Sequence, residues 1–299
     1  MNRKALITGA GGFIGHHLVR RLLDTGWEVS AFLRYTSQGS HGLLELLPAQ
    51  YLSAYRPIHG DLRDCEAVRN AVAHCDVVFH LGALIGIPYS YEHPREVMDV
   101  NVGGTLNILN AALARETPPK VIVTSTSEVY GTAQTVPISE SHTLNAQSPY
   151  AATKIAADQL ALSYYRSFDL PVSVCRPFNT FGPGQSERAI IPVIVLKALR
   201  GGRLELGSLT PTRDLNYVDN TVDAFVRMAE ANQATGRVVH FASNQEISIG
   251  DLAHRILEAM GQPDTEIVSV AERIRPKRSE VRQLIGSYDL ARELLGWEP

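Results

Sequence analysis

The chain has 299 residues, of which 44% are hydrophobic and 20% charged, so it can bury a sizeable core. The formal net charge of -3 and the pI near 6.4 show no basic excess, and we expect neither nucleic acid nor a membrane as a partner. Three cysteines without paired spacing favour neither a disulfide framework nor a metal site. No apolar stretch near Met1 suits a signal peptide or a membrane span, so we expect a cytoplasmic protein.

The first half of the chain alternates short apolar runs with longer helical patterns. Strands are predicted at 5–8, 28–33, 77–81 and 121–125, with a helix at 13–25. The runs at 77–81 and 121–125 are apolar without alternation, which is typical of strands covered on both faces. The pattern predicts an α/β fold with a doubly wound parallel sheet.

The second half is richer in proline and glycine between short elements. We predict that residues 1–175 form the main domain and carry the catalytic residues, and that residues 176–299 mainly form a smaller C-terminal substrate-binding lobe. The strand at 172–176 and the helix at 218–230 are expected to return to the main sheet.

A glycine-rich turn joins the first predicted strand to the first helix, in the sequence LITGAGGFIG. Gly9, Gly12 and Gly15 permit a tight turn, a close approach of backbone to pyrophosphate and a helix N-terminus free to bind negative charge. Because of this position, the motif predicts a Rossmann-type site for a nicotinamide dinucleotide. The other cofactor contacts that we predict here are Phe13, Ile14, Leu81 and Asn101.

The end of the second strand indicates which dinucleotide binds. No acidic residue stands there for the adenosine ribose; Arg34 and Ser37 instead suit a 2′-phosphate, which favours NADP and leaves NAD as the alternative. The alternative to a phosphate contact is that Arg34 is a solvated cation in a loop. Asp61 and Leu62 are predicted to face the adenine, although Asp61 also suits a cap for a helix that starts at Cys65.

A tyrosine and a lysine four residues apart open a strongly helical stretch. Tyr150 and Lys154 share one helix face, and an ammonium beside a phenol favours the phenolate, a base for a sugar hydroxyl. An ordinary amphipathic helix also produces this spacing. The preceding strand, however, ends in Thr126, Ser127 and Glu128, at the sheet edge where such folds bind ligands. Thr126 is expected to share the hydrogen bond of the reacting hydroxyl.

Five segments in order carry a family resemblance: TGAGGFIG, STSEVYG, SPYAATK, RPFNTFGPGQ and TRDLNYV. Together they resemble the extended short-chain dehydrogenase/reductase family of nucleotide-sugar epimerases, dehydratases and decarboxylases, over nearly the whole chain. Thr126-Ser127-Glu128 is similar to the Thr-Ser-Glu of GDP-mannose 4,6-dehydratases and of the legionaminic acid pathway dehydratase that acts on GDP-N-acetylglucosamine. The segments around Gln147 and Gln185 resemble the latter most.

The resemblance implies a 4,6-dehydratase that oxidises C4, eliminates water across C5 and C6 and returns the hydride to C6. Glu128 would remove the C5 proton; its alternative role is a helix-start carboxylate bonded to backbone amides. Many dTDP-glucose dehydratases have aspartate where this chain has Ser127, so Glu128, Ser127 and a bound water remain candidates for the acid that protonates the leaving hydroxyl.

The resemblance also implies a nucleotide-diphosphate sugar as substrate and a homodimer packed through the helices near 97–115 and 150–168. The candidate substrate residues are Asn179, Arg188, Arg213, Arg278 and Glu280. For each of the three arginines, the alternative role is a surface ion pair. A 4-epimerase and a UDP-glucuronate decarboxylase are alternatives on the same scaffold, with SPYAATK counting against the decarboxylase. A non-catalytic dinucleotide sensor is a remote alternative.

Overall fold

The structure is a computed structural model that describes residues 3–270 and 281–299. Two of the predicted substrate residues, Arg278 and Glu280, lie outside the described residues. Within the described ranges, no helix combines the length and the apolar character needed to cross a membrane.

The strands and helices follow one another along the described chain. The strands are β1 Lys4–Thr8, β2 Glu28–Leu33, β3 Tyr55–His59, β4 Val77–His80, β5 Lys120–Thr124, β6 Val172–Pro177, β7 Asn179–Phe181, β8 Leu204–Leu206, β9 Thr212–Tyr217, β10 Val238–Phe241, β11 Glu246–Ser248, β12 Ile267–Ser269 and β13 Gln283–Leu284. The α-helices are α1 Phe13–Asp24, α2 Ala49–Leu52, α3 Cys65–Val72, α4 Ile87–Glu92, α5 Pro94–Met98, α6 Gly104–Leu113, α7 Pro149–Phe168, α8 Ile190–Arg200, α9 Val218–Glu230, α10 Ile249–Ala259 and α11 Asp289–Leu295.

The main sheet has seven parallel strands in the order β10-β6-β5-β4-β1-β2-β3. Neighbouring residues of β1 point to opposite faces: Ile7 packs with α1, α9 and α11, whereas Leu6 packs with α3, α6 and α7. Both faces are therefore covered by helices, which explains why β4 is buried along its whole length. The predicted doubly wound α/β fold is confirmed.

Residues after 176 contribute to two layers. β10 joins the edge of the main sheet and α9 packs on its helix layer, while β7, β9, β11 and β13 form a second, four-stranded sheet. Beside it, β8 pairs with β12, and α8 and α10 share an apolar core that contains Ile194 and Leu252.

The strand order reverses between β1 and β4, so the connections after these two strands run to opposite faces. A crevice opens at such a reversal beyond the carboxyl ends of the strands, and open α/β sheets bind their ligands there.

Candidate active site

Two cavities meet at this edge of the sheet. The larger is about 760 Å³ and extends from the glycine-rich turn to the second sheet; the smaller, about 370 Å³, lies beyond the ends of β2 and β3. Both are lined by Gly9, Gly12, Gly82 and Ala83, so the turn after β1 forms their common wall.

The glycine-rich turn leaves no room for side chains. Gly9 has φ +70°, and a Cβ there would lie 2.9 Å from the backbone nitrogen of Gly82. A Cβ on Gly15 would lie 2.2 Å from the carbonyl oxygen of Gly9. Helix α1 follows with Gly12 as its N-cap, no side-chain cap and no acidic residue in its first turn. The free N–H groups and the open backbone fit a dinucleotide pyrophosphate.

Three of the residues predicted to contact the adenosine end of a dinucleotide, Arg34, Asp61 and Leu62, line the smaller cavity. Ser37 does not line it; Thr36 and Ser40 supply the hydroxyl side chains in the same loop. The loop after β2 returns to the glycine-rich turn, where the Leu43 N–H donates to the Gly11 carbonyl at 2.9 Å, and Thr36 and Ser40 line the cavity while residues 37–39 do not.

Asp61 is not a helix cap, so that alternative was wrong. The cap of α3 is Asp64, whose side chain accepts hydrogen bonds from the N–H groups of Glu66 at 2.9 Å and Ala67 at 3.1 Å. Asp61 instead accepts two side-chain hydrogen bonds from Arg63, at 2.9 and 2.7 Å. This arginine holds the pKa of Asp61 below its ordinary value.

Of the remaining predicted cofactor contacts, Phe13, Ile14 and Leu81 line the larger cavity, whereas Asn101 lines neither cavity. Asn101 is 1% exposed and bonds to the backbone of Leu84, at 2.8 Å through its oxygen and 3.0 Å through its nitrogen. It also donates to Thr153 at 3.1 Å. Asn101 therefore connects the loop after β4 to helix α7 and lies behind the cavity wall. This contact forms only in the folded chain, because its partners are far apart in sequence.

Helix α7 presents the tyrosine to the larger cavity at its first turn. The Ser148 hydroxyl caps the helix by accepting from the Ala151 N–H at 3.1 Å, and Pro149 suits the first helical position. Tyr150 lines the cavity, and Lys154, one turn further on, is 4% exposed. The start of the helix is thus fixed where Tyr150 faces the ligand space.

Thr126, Ser127 and Glu128 line the same cavity as Tyr150. The hydroxyl of Thr126 begins the short 3₁₀ helix Ser127–Tyr130 by accepting from the Glu128 N–H at 3.2 Å, and it also hydrogen-bonds with Tyr150. The segment after β5 and the start of α7 therefore bring one carboxylate and one phenol to a common space.

Burial has the largest effect on the pKa values of Tyr150 and Lys154, the two titratable groups of α7 that belong to the predicted site. It raises the pKa of Tyr150, with the Thr126 hydrogen bond acting in the opposite direction and the charge of Glu128 adding to the rise. Burial lowers the pKa of Lys154, and the nearby carboxylate of Asp158 opposes that effect. A phenolate at Tyr150 therefore depends on hydrogen bonding and on nearby positive charge.

The far end of the larger cavity carries three of the predicted substrate residues: Asn179, Arg188 and Arg213. Arg213 stands on β9 and donates to the Thr212 carbonyl at 2.8 Å, and Asn179 on β7 donates to the Asp214 carbonyl at 3.4 Å. Gln185 also lines this region and donates to the Thr180 carbonyl at 2.9 Å. The second sheet thus supplies polar groups suited to a sugar diphosphate.

A buried histidine that the sequence analysis missed supports the floor of the site. His80 accepts from the Thr8 hydroxyl through Nδ1 at 2.8 Å and donates through Nε2 to Thr105 at 3.1 Å. These roles follow because Thr8 accepts from the Gly82 N–H at 3.0 Å while Thr105 donates to the Asn101 carbonyl at 2.6 Å. A polar residue ending the apolar strand VVFH was the available signal.

Comparison with known proteins identifies the family. The family model described as GDP-mannose 4,6 dehydratase matches residues 6–299. The chain is 34% identical to the low-salt glycan biosynthesis protein Agl12 of Haloferax volcanii, over 98% of this chain and 93% of that protein. It is 33% identical to the UDP-glucose 4-epimerase of Mycolicibacterium smegmatis, over 99% and 93% of the two chains.

Solved structures agree with these sequence relatives. The dTDP-glucose 4,6-dehydratase DesIV of Streptomyces venezuelae, solved with NAD bound, superposes with a TM-score of 0.89 at 27% identity, over 99% of this chain and 92% of that one. The chain therefore belongs to the GDP-mannose 4,6-dehydratase family of extended short-chain dehydrogenases/reductases, and it is an enzyme related to NAD-dependent nucleotide-sugar dehydratases and epimerases.

Proposed function

We propose that this enzyme is a nucleotide-sugar 4,6-dehydratase acting on a GDP- or UDP-N-acetylhexosamine or a related nucleotide-linked hexose. One observation carries the proposal: Glu128 and Tyr150 line the same cavity, and Thr126 contacts both of them. A phenol that takes a hydroxyl proton and a carboxylate that takes a carbon-bound proton are the two bases that dehydration needs.

The glycine-rich turn and the first turn of α1 would hold the pyrophosphate of a nicotinamide dinucleotide, with the adenosine in the smaller cavity. When bound, that cofactor supplies a hydride acceptor and later a hydride donor. The protein's own contribution is to orient the hexose, to move protons and to exclude water.

Tyr150 begins the reaction by removing the proton of the C4 hydroxyl as C4 becomes a carbonyl. Lys154 stabilises the phenolate form of Tyr150 through its positive charge, and Thr126 hydrogen-bonds to the same hydroxyl of the sugar. Because burial raises the pKa of Tyr150, this electrostatic support is a condition of the step.

Glu128 performs the elimination. The C4 carbonyl acidifies the proton on C5, the carboxylate of Glu128 takes that proton, and the electron pair forms the C5–C6 double bond as hydroxide leaves C6. The leaving hydroxide takes up a proton from Glu128, from Ser127 or from a bound water, so that one molecule of water is released. A simple 4-epimerase needs no base at the Glu128 position.

The arginine at the end of β2 supports NADP as the preferred cofactor. Arg34 lines the smaller cavity together with Thr36 and Ser40, and a guanidinium with nearby hydroxyls suits the 2′-phosphate of NADP. Asp61, the acidic residue that lines this cavity, is held by two hydrogen bonds from Arg63, which reduces its capacity to accept bonds from a ribose.

The proposal includes a homodimer built from the helices around α6 and α7. These segments carry large apolar side chains that are at least one third exposed, which are Met98, Leu106, Tyr165 and Phe168. A second copy of the chain would cover them in a four-helix arrangement.

The test is an incubation with GDP-N-acetylglucosamine, GDP-mannose, the UDP- and dTDP-hexoses and UDP-glucuronate, with products read by mass spectrometry and NMR. Loss of water from one of these sugars is the expected result. Loss of carbon dioxide from UDP-glucuronate would instead identify a decarboxylase, and a product of unchanged mass with an inverted hydroxyl an epimerase. Tight cofactor binding without turnover would identify a sensor, and each of these three results overturns the dehydratase proposal.

A further inference from the structure

A buried carboxylate lies one helical turn beyond Lys154. Tyr150, Lys154 and Asp158 stand four residues apart on α7 and form one stripe, with exposed fractions of 6%, 4% and 0%. The first two belong to the proposed chemistry, and Asp158 has no role in it. A fully buried carboxylate is costly unless it is paired and hydrogen-bonded, so its partners indicate what it does.

One oxygen of Asp158 receives three hydrogen bonds. Its Oδ2 accepts from the Ser125 hydroxyl at 2.8 Å and from Nε and Nη2 of Arg176 at 3.1 and 2.9 Å. Its Oδ1 is buried and has no hydrogen-bond partner among the residues that the structure describes. The Oδ1 of Asp158 can therefore still accept hydrogen bonds, whereas its Oδ2 already accepts three.

These bonds join three elements that each carry part of the site. Ser125 directly precedes Thr126 after β5, and Arg176 stands on β6, shortly before Asn179. Arg176 also donates to the Tyr130 hydroxyl at 2.6 Å, at the end of the short helix that contains Glu128. Asp158, on α7, thus connects the strand ends to the helix of Tyr150 and Lys154.

The charges that face Lys154 come from three elements. His80 on β4, Cys175 on β6 and Asp158 on α7 all interact with it electrostatically. Burial lowers the pKa of His80 to about 3 and raises the pKa of the Cys175 thiol to about 12, so both are neutral near pH 7. Burial also raises the pKa of Asp158, but Arg176, Ser125 and Lys154 all favour its carboxylate form. Because Asp158 forms an ion pair with Arg176 at 2.9 Å, we assign the negative charge among these three groups to Asp158.

We propose that Asp158 is a positioning residue that holds the ends of β5 and β6 against α7 and keeps Lys154 in its charged form. Only the expected effect of Asp158 on catalysis rests on the proposed function, because that function assigns proton transfer to Tyr150 and Lys154. The charge of Lys154 itself can be measured without any reaction.

The experiment is an NMR titration of the full-length protein labelled with ¹³C at the lysine ε-carbon, with the Lys154 signal assigned through Lys154→Arg. In Asp158→Asn the shape of the side chain is kept and the charge is lost. The titration midpoint of Lys154 is expected to fall by about one pH unit, as for removal of an opposite charge one helical turn away. An unchanged midpoint would overturn the proposal.

Ser125→Ala is the matched control, because it removes a hydrogen bond from the same carboxylate oxygen without changing charge. Its Lys154 midpoint is expected to stay within about 0.3 pH units of the wild-type value, since the shift requires loss of an ionic partner. If Asp158→Asn does not fold, because it leaves Arg176 without its carboxylate, the double variant Asp158→Asn, Arg176→Gln is compared with Arg176→Gln alone, and the fall in the Lys154 midpoint between these two proteins decides the question.

Enzyme assays then separate the two proposals. If the wild-type protein dehydrates a nucleotide sugar, Asp158→Asn is expected to lower kcat and to move the alkaline limb of its pH profile to lower pH, with KM changed little. If no nucleotide sugar reacts, the proposed function fails while the midpoint shift still decides the role of Asp158.

Discussion

Thr126 and Tyr150 share a side-chain hydrogen bond, although one follows strand β5 and the other begins helix α7. The same Thr126 hydroxyl accepts from the backbone N–H of Glu128 at 3.2 Å. A single short side chain therefore contacts both the proposed hydroxyl base and the segment that carries the proposed carbon base.

Replacing Thr126 by valine is expected to move the acidic limb of the kcat pH profile to higher pH. The Thr126 hydrogen bond lowers the pKa of Tyr150, so its removal leaves burial less opposed and a higher pH is needed to form the phenolate. Steady-state rates between pH 6 and 10 measure the effect. Thr126→Ser keeps the hydroxyl and should retain the wild-type limb; a valine variant with the wild-type profile would exclude this coupling.

Replacing Glu128 by glutamine should abolish elimination while leaving the first oxidation intact. The amide keeps the shape of the side chain but cannot take the C5 proton, and loss of a positioned base costs about 10²–10⁴-fold in rate. Mass spectrometry measures water loss, and absorbance at 340 nm measures the reduced cofactor in a single turnover. The exposed Glu116 provides the control variant, Glu116→Gln. Full-rate dehydration by Glu128→Gln would refute its assignment as the base.

Replacing Arg34 by alanine is expected to raise KM for NADP by about 10–100-fold, the equivalent of about 1.5–3 kcal/mol for lost charged hydrogen bonds. KM for NAD should change little, because NAD has no 2′-phosphate for Arg34 to bind. Initial rates at varied cofactor concentration measure both constants. Arg69→Ala, which removes an exposed cation on α3, should alter neither value. Equal effects on the two cofactors would contradict the assignment.

Replacing Leu106 by arginine should convert the proposed homodimer to monomer. A charged side chain in the middle of an apolar helix interface must be desolvated without a partner, which opposes association. Size-exclusion chromatography with light scattering gives the mass. Leu199→Arg is the matched control, because Leu199 is 68% exposed on α8, outside the proposed interface. A Leu106→Arg protein of unchanged dimeric mass would rule out this surface.

His80 should make the folded state sensitive to mild acid. Burial lowers its pKa from 6.5 to about 3, so between these values the unfolded chain binds a proton that the folded chain does not. The free energy of unfolding should therefore fall as pH drops below 6.5, by about 1.4 kcal/mol per pH unit for this histidine.

Urea unfolding at pH 7.5 and 5.5 measures this contribution. His80→Gln is expected to be less stable than the wild type at pH 7.5, and the difference should narrow at pH 5.5 because the variant has no imidazole to protonate. His254→Gln, at an exposed position on α10, should follow the wild-type pH dependence. If the wild type and His80→Gln differ in free energy of unfolding by the same amount at both pH values, His80 does not cause the expected loss of stability in acid.

The amino-acid sequence alone determined the parts of the molecule that depend on local chemistry. Alternating apolar and helical patterns predicted the doubly wound sheet, and the glycines of LITGAGGFIG predicted a turn that only residues without a Cβ can form. The four-residue spacing of Tyr150 and Lys154 on one helix was also readable, because helical periodicity fixes which side chains share a face.

The tertiary structure decided what depends on contacts between distant segments. Only the folded chain shows Asp64 rather than Asp61 as the cap of α3, Asn101 behind the cavity wall, and Asp158 bonded to both Ser125 and Arg176. Such contacts join residues far apart in the chain, and their geometry follows from how helices pack on the sheet. A residue type and its sequence neighbours do not specify that packing, so these roles became visible only once the elements were assembled.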